Sequence, residues 1–297
     1  MTHPTFSLAI HSGKIDYVPL LENLLKSFLI CNEYPNVELI LIESAQNQPI
    51  REWFKSIDFE SNFQNFDGKI TGVRANKRSK IKKTLLFLDY EETLPWFTCY
   101  MDSMNQARMK ATGKYFAFLA EDNQFVCKGD VIGDYVNLIR DLGHDSHMIN
   151  LSGMQCYKYA KDNNRYLPIS SLNYSSYFEC ITTKWDPTYF CDMSLFKKLG
   201  PPALSVEEDP HRTINHYTFR SRDLGVKRSY KLVPAAVWFH NEKRDEIIEI
   251  IQTKTRENPD YVLFNIQDYD KVKHSLSELK DPPGRPLGTD DWFNAIN

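Results

Sequence analysis

The segment NQARMKATGKYFAFLAEDNQF, residues 105–125, begins as a helix and continues through a tight turn into a buried strand. Ala107 and Ala111 lie four residues apart on one face of the predicted helix, where small side chains allow close packing. Gly113 stands where many helices end in a left-handed residue. Residues 115–119 then form an apolar, aromatic-rich run of strand length. The segment therefore predicts a helix that packs beside a buried strand.

Three polar residues follow directly after this strand: Glu121, Asp122 and Asn123. The carboxyl ends of parallel strands are where open α/β sheets bind their ligands. Carboxylate and amide oxygens suit a hard divalent cation, and such a cation suits a phosphate-bearing ligand. The segment therefore predicts a metal and phosphate site at one edge of a sheet. An acidic loop without a ligand is the alternative.

The order Asn-x-Ala-x-x-x-Ala-x-Gly-x-Tyr, followed by an apolar strand and acids, resembles the nucleotide-sugar-binding half of family-two glycosyltransferases of the GT-A fold. Members of that family usually end the strand in Asp-x-Asp or Asp-x-Asp-Asp. Alignment on Phe118 and Leu119 places Ala120 on the first Asp, so that acid is missing, and Asp122 on the Asp that ligates the metal. The resemblance thus implies that Asp122 binds Mn²⁺ or Mg²⁺.

The same resemblance implies an α/β fold with a Rossmann-like nucleotide-binding half, a mixed central sheet and a fused acceptor-binding half. Within the motif it assigns Asn105, Glu121 and Asp122 to the nucleotide-sugar site. We expect one GT-A domain over residues 1–242, with the nucleotide-sugar half over 1–125 and the acceptor half over 126–242. Residues 243–297 read as a helical and irregular tail, for which core packing, oligomerisation and membrane contact all remain open.

The first part of the chain predicts a βαβ unit. Apolar runs over 6–10 and 37–42 flank leucines at helical spacing, and polar residues end both runs. His11 follows the first run and Glu43 follows the second. In the family, the first position touches the nucleoside and an acid at the second binds the base, so the resemblance implies these roles for His11 and Glu43. For Glu43, capping of the next turn is the alternative.

Glu208 and Asp209 match the family's ED motif, in which the Asp is the general base. The resemblance therefore implies Asp209 as the catalytic base and Glu208 as the fallback. Because Pro210 follows, a helix N-cap with proline at the first helical position explains the same residues without catalysis. His240, after a predicted strand over 233–239, matches a late metal ligand of metal-dependent relatives; a structural histidine is the alternative.

The composition excludes several other classes of protein. Of 297 residues, 42% are hydrophobic and 25% are charged, which is ordinary for a globular chain and argues against disorder. The formal charge of −3 provides no bulk attraction to nucleic acid or to an anionic membrane. Six cysteines without a C-x-x-C pair argue against a zinc knuckle and a disulfide framework. No signal peptide or membrane span is recognisable, so we expect a cytoplasmic protein, with the inner membrane face as a further option.

The function implied by the resemblance is metal-dependent, inverting sugar transfer. The donor would be a nucleotide-diphosphate sugar, with UDP favoured, and the group moved a hexose or an N-acetylhexosamine. The acceptor would be a hydroxyl of a glycan or of a lipid-linked saccharide, and homo-oligomerisation is left open.

Two other functions remain open. A catalytically inactive nucleotide- or glycan-binding module is favoured by the altered Asp-x-Asp. A sugar-nucleotide nucleotidyltransferase should carry a glycine-rich basic loop after the first strand, and AIHSGKIDY, residues 9–17, has one glycine and one lysine.

Overall fold

A computed structural model of the chain describes residues 3–13, 17–57, 80–125, 129–151, 166–168, 177–180, 189–200, 223–231, 235–238, 244–259 and 261–263. The strands in these residues are β1 Phe6–Ser12, β2 Asn36–Glu43, β3 Lys80–Phe87, β4 Tyr115–Ala120, β5 Asn123–Phe125, β6 His147–Asn150, β7 Tyr166–Pro168, β8 Tyr177–Cys180, β9 Tyr189–Asp192, β10 Lys227–Lys231 and β11 Ala236–Trp238. The helices are α1 Val18–Cys31, α2 Gln48–Ser56, α3 Trp96–Lys110, α4 Val131–Leu142, α5 Met193–Leu199 and α6 Arg244–Glu257.

Nine of these strands form one mixed sheet in the order β3-β2-β1-β4-β9-β6-β10-β8-β7. The first four are parallel, and β9 is antiparallel to both of its neighbours, β4 and β6. From β1 the chain moves outward to β2 and β3 on one side, and β4 lies on the other side, so the strand order reverses between β1 and β4. The predicted α/β class, with a Rossmann-like half on a mixed central sheet, is confirmed.

Both faces of the parallel strands are covered, which explains why their sequences are almost continuously apolar. On β1, Ala9 packs into one hydrophobic cluster, while Leu8 and Ile10 point to the other face and pack into a second. The first cluster includes Met101 and Met104 of α3, and the second includes residues of α1, α2 and α4. The sheet is therefore the middle layer of three, as the alternation of strands and helices predicts.

The predicted role of Gly113 as a left-handed helix end is wrong. Helix α3 ends at Lys110, and the next residue, Ala111, has an extended backbone with φ −60° and ψ 132°. Gly113 does not have a positive φ. A Cβ atom at Gly113 would lie 2.5 Å from Ser7 Oγ and 2.8 Å from the Thr5 carbonyl oxygen. The Gly113 amide donates a hydrogen bond to Ser7 Oγ over 2.9 Å. Glycine is needed here because the backbone passes very close to β1, not because of its φ angle.

Helix α6, the last helix among the described residues, packs on the core. Ile247 and Ile251 are buried in the cluster that includes α3. After the helix, the Leu263 amide donates to Asn23 Oδ1 of α1 over 2.7 Å, and Lys26 Nζ of α1 donates to the Pro259 carbonyl over 2.9 Å. Of the options that the sequence left open for the tail, core packing is the one observed for residues 244–259 and 261–263.

Within the part of the chain that the structure describes, no helix has the length and apolar character needed to cross a membrane.

Candidate functional site

A cavity of about 590 Å³ opens at the carboxyl ends of β1, β2 and β4. Its volume is in the range of pockets that hold small molecules. It lies beside the point where the strand order reverses, which is the usual ligand position in open α/β sheets. The residues that line it are His11, Gly13, Tyr17, Ser44, Ala45, Gln46, Tyr90, Glu91, Glu92, Leu94, Trp96, Cys99, Tyr100, Ala120, Glu121, Asp122 and Arg244.

The turn after β4 brings two carboxylates into this cavity. Glu121 is 7% exposed and Asp122 is 2% exposed. The Oε2 atom of Glu121 is buried without a hydrogen-bond partner among the described residues. Burial, and then the charge of Asp122, raises the pKa of Glu121 to about 8. The turn therefore holds, beside Asp122, a carboxyl group that keeps its proton at neutral pH.

Arg244, the first residue of α6, pairs with the second of these acids. Its Nη2 atom donates a hydrogen bond to Asp122 Oδ2. Its Nη1 atom donates to the Tyr17 hydroxyl over 3.3 Å, and its guanidinium carbon lies 5.3 Å from the centre of the Tyr17 ring. Burial alone would lower the pKa of Arg244, but the charge of Asp122 and the Tyr17 contact raise it. Arg244 is therefore a fixed positive charge inside the cavity.

His11 lies at the end of β1, on the cavity wall, as the sequence predicted. Its Nε2 atom makes a 2.7 Å hydrogen bond with Ser44 Oγ, and its ring meets Tyr100 edge-on at 5.3 Å. Burial lowers the pKa of His11 to about 4, so the ring is neutral at pH 7. Trp96, which is 66% exposed, meets Tyr100 at 6.2 Å and extends this wall outward. The result is an aromatic wall formed by His11, Tyr100 and Trp96.

The Glu43 carboxylate is fully buried and engaged by its own turn and by α2. It accepts hydrogen bonds from the Ala45 amide at 2.5 Å, the Asn47 amide at 3.0 Å and Arg51 Nε at 2.5 Å. The next two residues, Ser44 and Ala45, line the cavity. This geometry favours the turn-capping alternative that the sequence left open for Glu43.

Asn105 lies in α3 and is 8% exposed, and its Oδ1 atom accepts a hydrogen bond from Arg108 at 2.8 Å. It lies outside the set of residues that line the cavity. Glu208, Asp209 and His240 lie outside the described residues. The structure therefore brings together His11, Glu121 and Asp122 from the predicted set.

The cavity residues that sequence reasoning missed include Tyr17, Trp96, Tyr100 and Arg244. Arg244 lies outside residues 1–242, the part of the chain that resembles the family. The signal available there was a helical spacing of isoleucines, Ile247, Ile248 and Ile251, which indicates an amphipathic helix but not where its first residue points.

The predicted Mn²⁺ or Mg²⁺ does not fit the described donors in this arrangement. Mg²⁺ is often bound through one or two carboxylates, with waters and substrate phosphates as its other ligands, so the two adjacent carboxylates here, Glu121 and Asp122, would have to be free to coordinate it. Oδ1 of Asp122 accepts a hydrogen bond from Asn123 Nδ2 at 3.2 Å. Oδ2 of Asp122 already accepts from the Arg244 guanidinium. Among the described residues, no group of three or more His, Cys, Asp or Glu side chains is placed to hold a metal ion. The other predicted ligand, His240, lies outside the described residues.

The sequence matches no protein-family model, and no curated protein matches it significantly. Similar solved structures include the mannosyltransferase PcManGT from Pyrobaculum calidifontis in complex with GDP-Man and Mn²⁺, at 13% identity and a TM-score of 0.49, with 99% of this chain and 69% of that chain covered. They also include S. aureus TarS, at 12% identity and a TM-score of 0.48, with 99% of this chain and 49% of that chain covered. TarS 1–349 in complex with UDP-GlcNAc gives 12% identity and a TM-score of 0.47, with coverage of 99% and 82%. The chain thus spans about half the length of full TarS.

Proposed function

We propose that the protein is a glycosyltransferase whose donor is a nucleotide-diphosphate sugar, with UDP as the favoured nucleotide. The observation that carries this proposal is the cavity where the strand order reverses, into which the turn after β4 directs Glu121 and Asp122. Doubly wound sheets bind nucleotides at this place because the loops on either side of the reversal separate and leave a crevice. The motif that resembles the family ends at the same turn.

The aromatic wall suits the nucleoside. Every nucleobase has a flat aromatic face, so any base can stack on aromatic side chains. Each stacked base contributes about 1–3 kcal/mol to the binding free energy. Tyr100 and Trp96 offer such rings. His11 adds a third ring, which carries no charge at neutral pH. Ser44 places a hydroxyl beside them for a polar edge.

Helix α3 adds a weak attraction for an anion in this cavity. Its first turn lines the cavity through Trp96, Cys99 and Tyr100, so the positive end of the helix dipole faces the ligand space. The N-cap is Pro95, which makes no side-chain hydrogen bond to the helix. A negative group at such an end gains about 0.3–1 kcal/mol, which assists binding of a diphosphate without determining it.

The proposed reaction is a single in-line displacement at the anomeric carbon, which inverts its configuration. Asp209 would take the proton of the acceptor hydroxyl, with Glu208 as the alternative base. The transferred group would be a hexose or an N-acetylhexosamine, and the acceptor a glycan or a lipid-linked saccharide. We further propose that residues 1–125 form the nucleotide-sugar half and residues 126–242 the acceptor half of one domain.

A second function is supported by two observations. Ala120 replaces the first acid of the family motif, and Asp122 is paired with Arg244, so the protein could bind a nucleotide or glycan without catalysing transfer. Both functions include binding of the ligand, but only the transferase turns over its donor.

The test is to incubate the protein with UDP-glucose, UDP-galactose, UDP-GlcNAc and GDP-mannose, each with Mn²⁺ and with EDTA, and to measure release of the nucleoside diphosphate by hydrolysis, in which water takes the place of the acceptor hydroxyl. Release that depends on the sugar and the base, and that falls about 10²–10⁴-fold in Asp209→Asn while nucleotide affinity is kept, supports a transferase. Binding without release from any donor supports the inactive module. Neither binding nor release would contradict both.

A further inference from the structure

We propose that Arg244 is the cation that binds the diphosphate of the donor, and that Asp122 holds this guanidinium in place rather than ligating a metal. This proposal rests on the proposed function, because it names the group that meets the leaving diphosphate in the same cavity. In this proposal Arg244 takes the place of the predicted metal, because the structure pairs it with Asp122, the residue that was expected to ligate that metal.

The first argument is the position of Arg244. Its guanidinium lines the cavity together with Glu121 and Asp122, the two acids after β4. It is held on two sides: Asp122 accepts a hydrogen bond from Nη2, and Tyr17 offers its hydroxyl to Nη1 and its ring face to the guanidinium plane. Because Tyr17 and Asp122 are themselves fixed at the ends of ordered elements, the charge is positioned before any ligand arrives.

The second argument is the charge balance of the cavity. Besides Glu121, its described lining carries three acids, Glu91, Glu92 and Asp122, and Arg244 is the one Lys or Arg side chain among these lining residues. A diphosphate that enters this space needs a compensating positive charge, because otherwise its negative charge would meet carboxylates in a partly buried setting. Arg244 is the described side chain that can supply it.

The third argument is the unused hydrogen-bonding capacity of this side chain. A guanidinium has five N–H donors in a planar fork, which matches phosphate oxygens in pairs. Among the described residues, the hydrogen bonds of Arg244 run from Nη1 to Tyr17 and from Nη2 to Asp122. Each of these two nitrogens carries a second N–H, so the guanidinium keeps donors for phosphate oxygens.

The chemistry follows from these contacts. When the acceptor oxygen bonds to the anomeric carbon, the bond from that carbon to the diphosphate oxygen breaks, and its electron pair stays on the diphosphate. The acceptor's proton passes to the proposed base, Asp209. Arg244 remains protonated throughout and stabilises the negative charge that grows on the leaving diphosphate. The sugar, the proton and the charge are all accounted for without a further reactant.

Asp122→Asn separates the two interpretations of Asp122. If Asp122 ligates a metal, an amide in its place removes a charged ligand, so the nucleotide should lose its Mn²⁺-dependent binding. If Asp122 holds Arg244, the amide oxygen still accepts the hydrogen bond and no longer offsets the guanidinium charge, so nucleotide binding should be kept or become tighter.

The experiment measures binding of UDP, GDP, uridine and guanosine by calorimetry, in EDTA and in Mn²⁺, to the full chain and three variants. In EDTA we expect the wild type to bind a nucleoside diphosphate and Arg244→Gln to bind it about 10- to 100-fold more weakly, with little change for the matching nucleoside. Asp122→Asn should bind the diphosphate at least as well as the wild type. Arg256→Gln removes the same charge from an exposed position on the same helix and should behave as wild type.

Melting temperatures show whether each variant is folded. Should Arg244→Gln fail to fold, Asp122→Asn still decides, because the two interpretations predict opposite results for it. Wild-type binding that requires Mn²⁺ and disappears in Asp122→Asn would overturn the proposal, and so would equal affinities of wild type and Arg244→Gln. Absence of nucleoside diphosphate binding to the wild type under both conditions would instead overturn the proposed function.

Discussion

Arg244 and Asp122, which are 122 positions apart in the sequence, form an ion pair inside the cavity at the end of β4. The side chain of Asp122 is 3% exposed and that of Arg244 is 19% exposed, so water screens the pair only weakly. The first residue of α6 is thereby joined to the turn that carries the predicted site. Helix α6 therefore contributes to the cavity wall.

The pair should be energetically coupled. Removing one partner leaves the other charge buried and unpaired, whereas removing both leaves neither. A double-mutant cycle with Asp122→Asn and Arg244→Gln should therefore give a coupling free energy of about 1–3 kcal/mol in urea unfolding. Lys254 and Glu257 on the same helix form an exposed pair, with side chains 46% and 62% exposed, and serve as the control. Their coupling should stay below about 0.5 kcal/mol; equal coupling in both cycles would contradict the importance of burial.

The buried Glu121 predicts a distinct dependence of stability on pH. Its pKa is about 8 in the folded chain against an ordinary 4.5, so between these values the folded state binds more protons than the unfolded state. Its contribution to stability is complete below about pH 4.5 and is lost as the pH rises toward 8. The slope reaches at most about 1.4 kcal/mol per pH unit.

Glu121→Gln removes this titration and keeps the shape of the side chain. We expect the free energy of unfolding of the wild type to fall relative to that of Glu121→Gln as urea titrations in EDTA move from about pH 5 to about pH 8. His11, whose folded pKa of about 4 acts in the opposite direction between 4 and 6.5, is present in both proteins and cancels in the difference. A difference that stays constant over this range would show that Glu121 is ionised in the folded chain.

Gly113 tests a different kind of constraint. An added Cβ would meet the Ser7 amide nitrogen and the Thr5 carbonyl oxygen, both at 2.8 Å, and backbone atoms cannot rotate away. Gly113→Ala should therefore destabilise the chain by about 1–3 kcal/mol. Combining it with Ser7→Ala should give no rescue, because the backbone contacts remain. Chemical denaturation measures both.

Gly225 is the control because it has a positive φ of 66° and an added Cβ there would meet nothing within 4 Å. There Gly225→Asn should cost less than Gly225→Ala, since Asn tolerates a positive φ better than Ala does. At Gly113, Asn should be no better than Ala. Rescue of Gly113 by Asn would restore the left-handed interpretation.

The elements that were predictable from sequence are those whose partners follow from periodicity. Buried parallel strands such as β1 and β2 are covered on both faces, so their apolar runs mark them directly. The acids after β4 were predictable because a strand end fixes where its next residues lie. Arg244 was not, because its position depends on how α6 packs against α1, and no local pattern encodes that contact. Gly113 was misread for a similar reason: the atoms that exclude a side chain there belong to β1.

Glu43 is the position where the family resemblance and the structure lead to different experiments. Its carboxylate accepts hydrogen bonds from the Ala45 and Asn47 amides and pairs with Arg51, which also contacts Asp89 at 2.5 Å. If this is its whole function, Glu43→Gln keeps an acceptor for the amides, loses the charge opposite Arg51 and lowers stability by about 1–3 kcal/mol. Affinity for UDP should then change less than about threefold, since the turn that presents Ser44 keeps its backbone hydrogen bonds.

If Glu43 instead binds the base, Glu43→Gln should affect UDP affinity more than stability. A hydrogen bond from the base to a charged group is worth about 1.5–3 kcal/mol, so Glu43→Gln would weaken UDP binding by about tenfold or more with a smaller effect on the free energy of unfolding. Arg51→Gln provides the control, because it breaks the ion pair from the side away from the cavity. We expect both variants to lose stability and to bind UDP alike. A tenfold loss of affinity confined to Glu43→Gln would show that this carboxylate reaches the base.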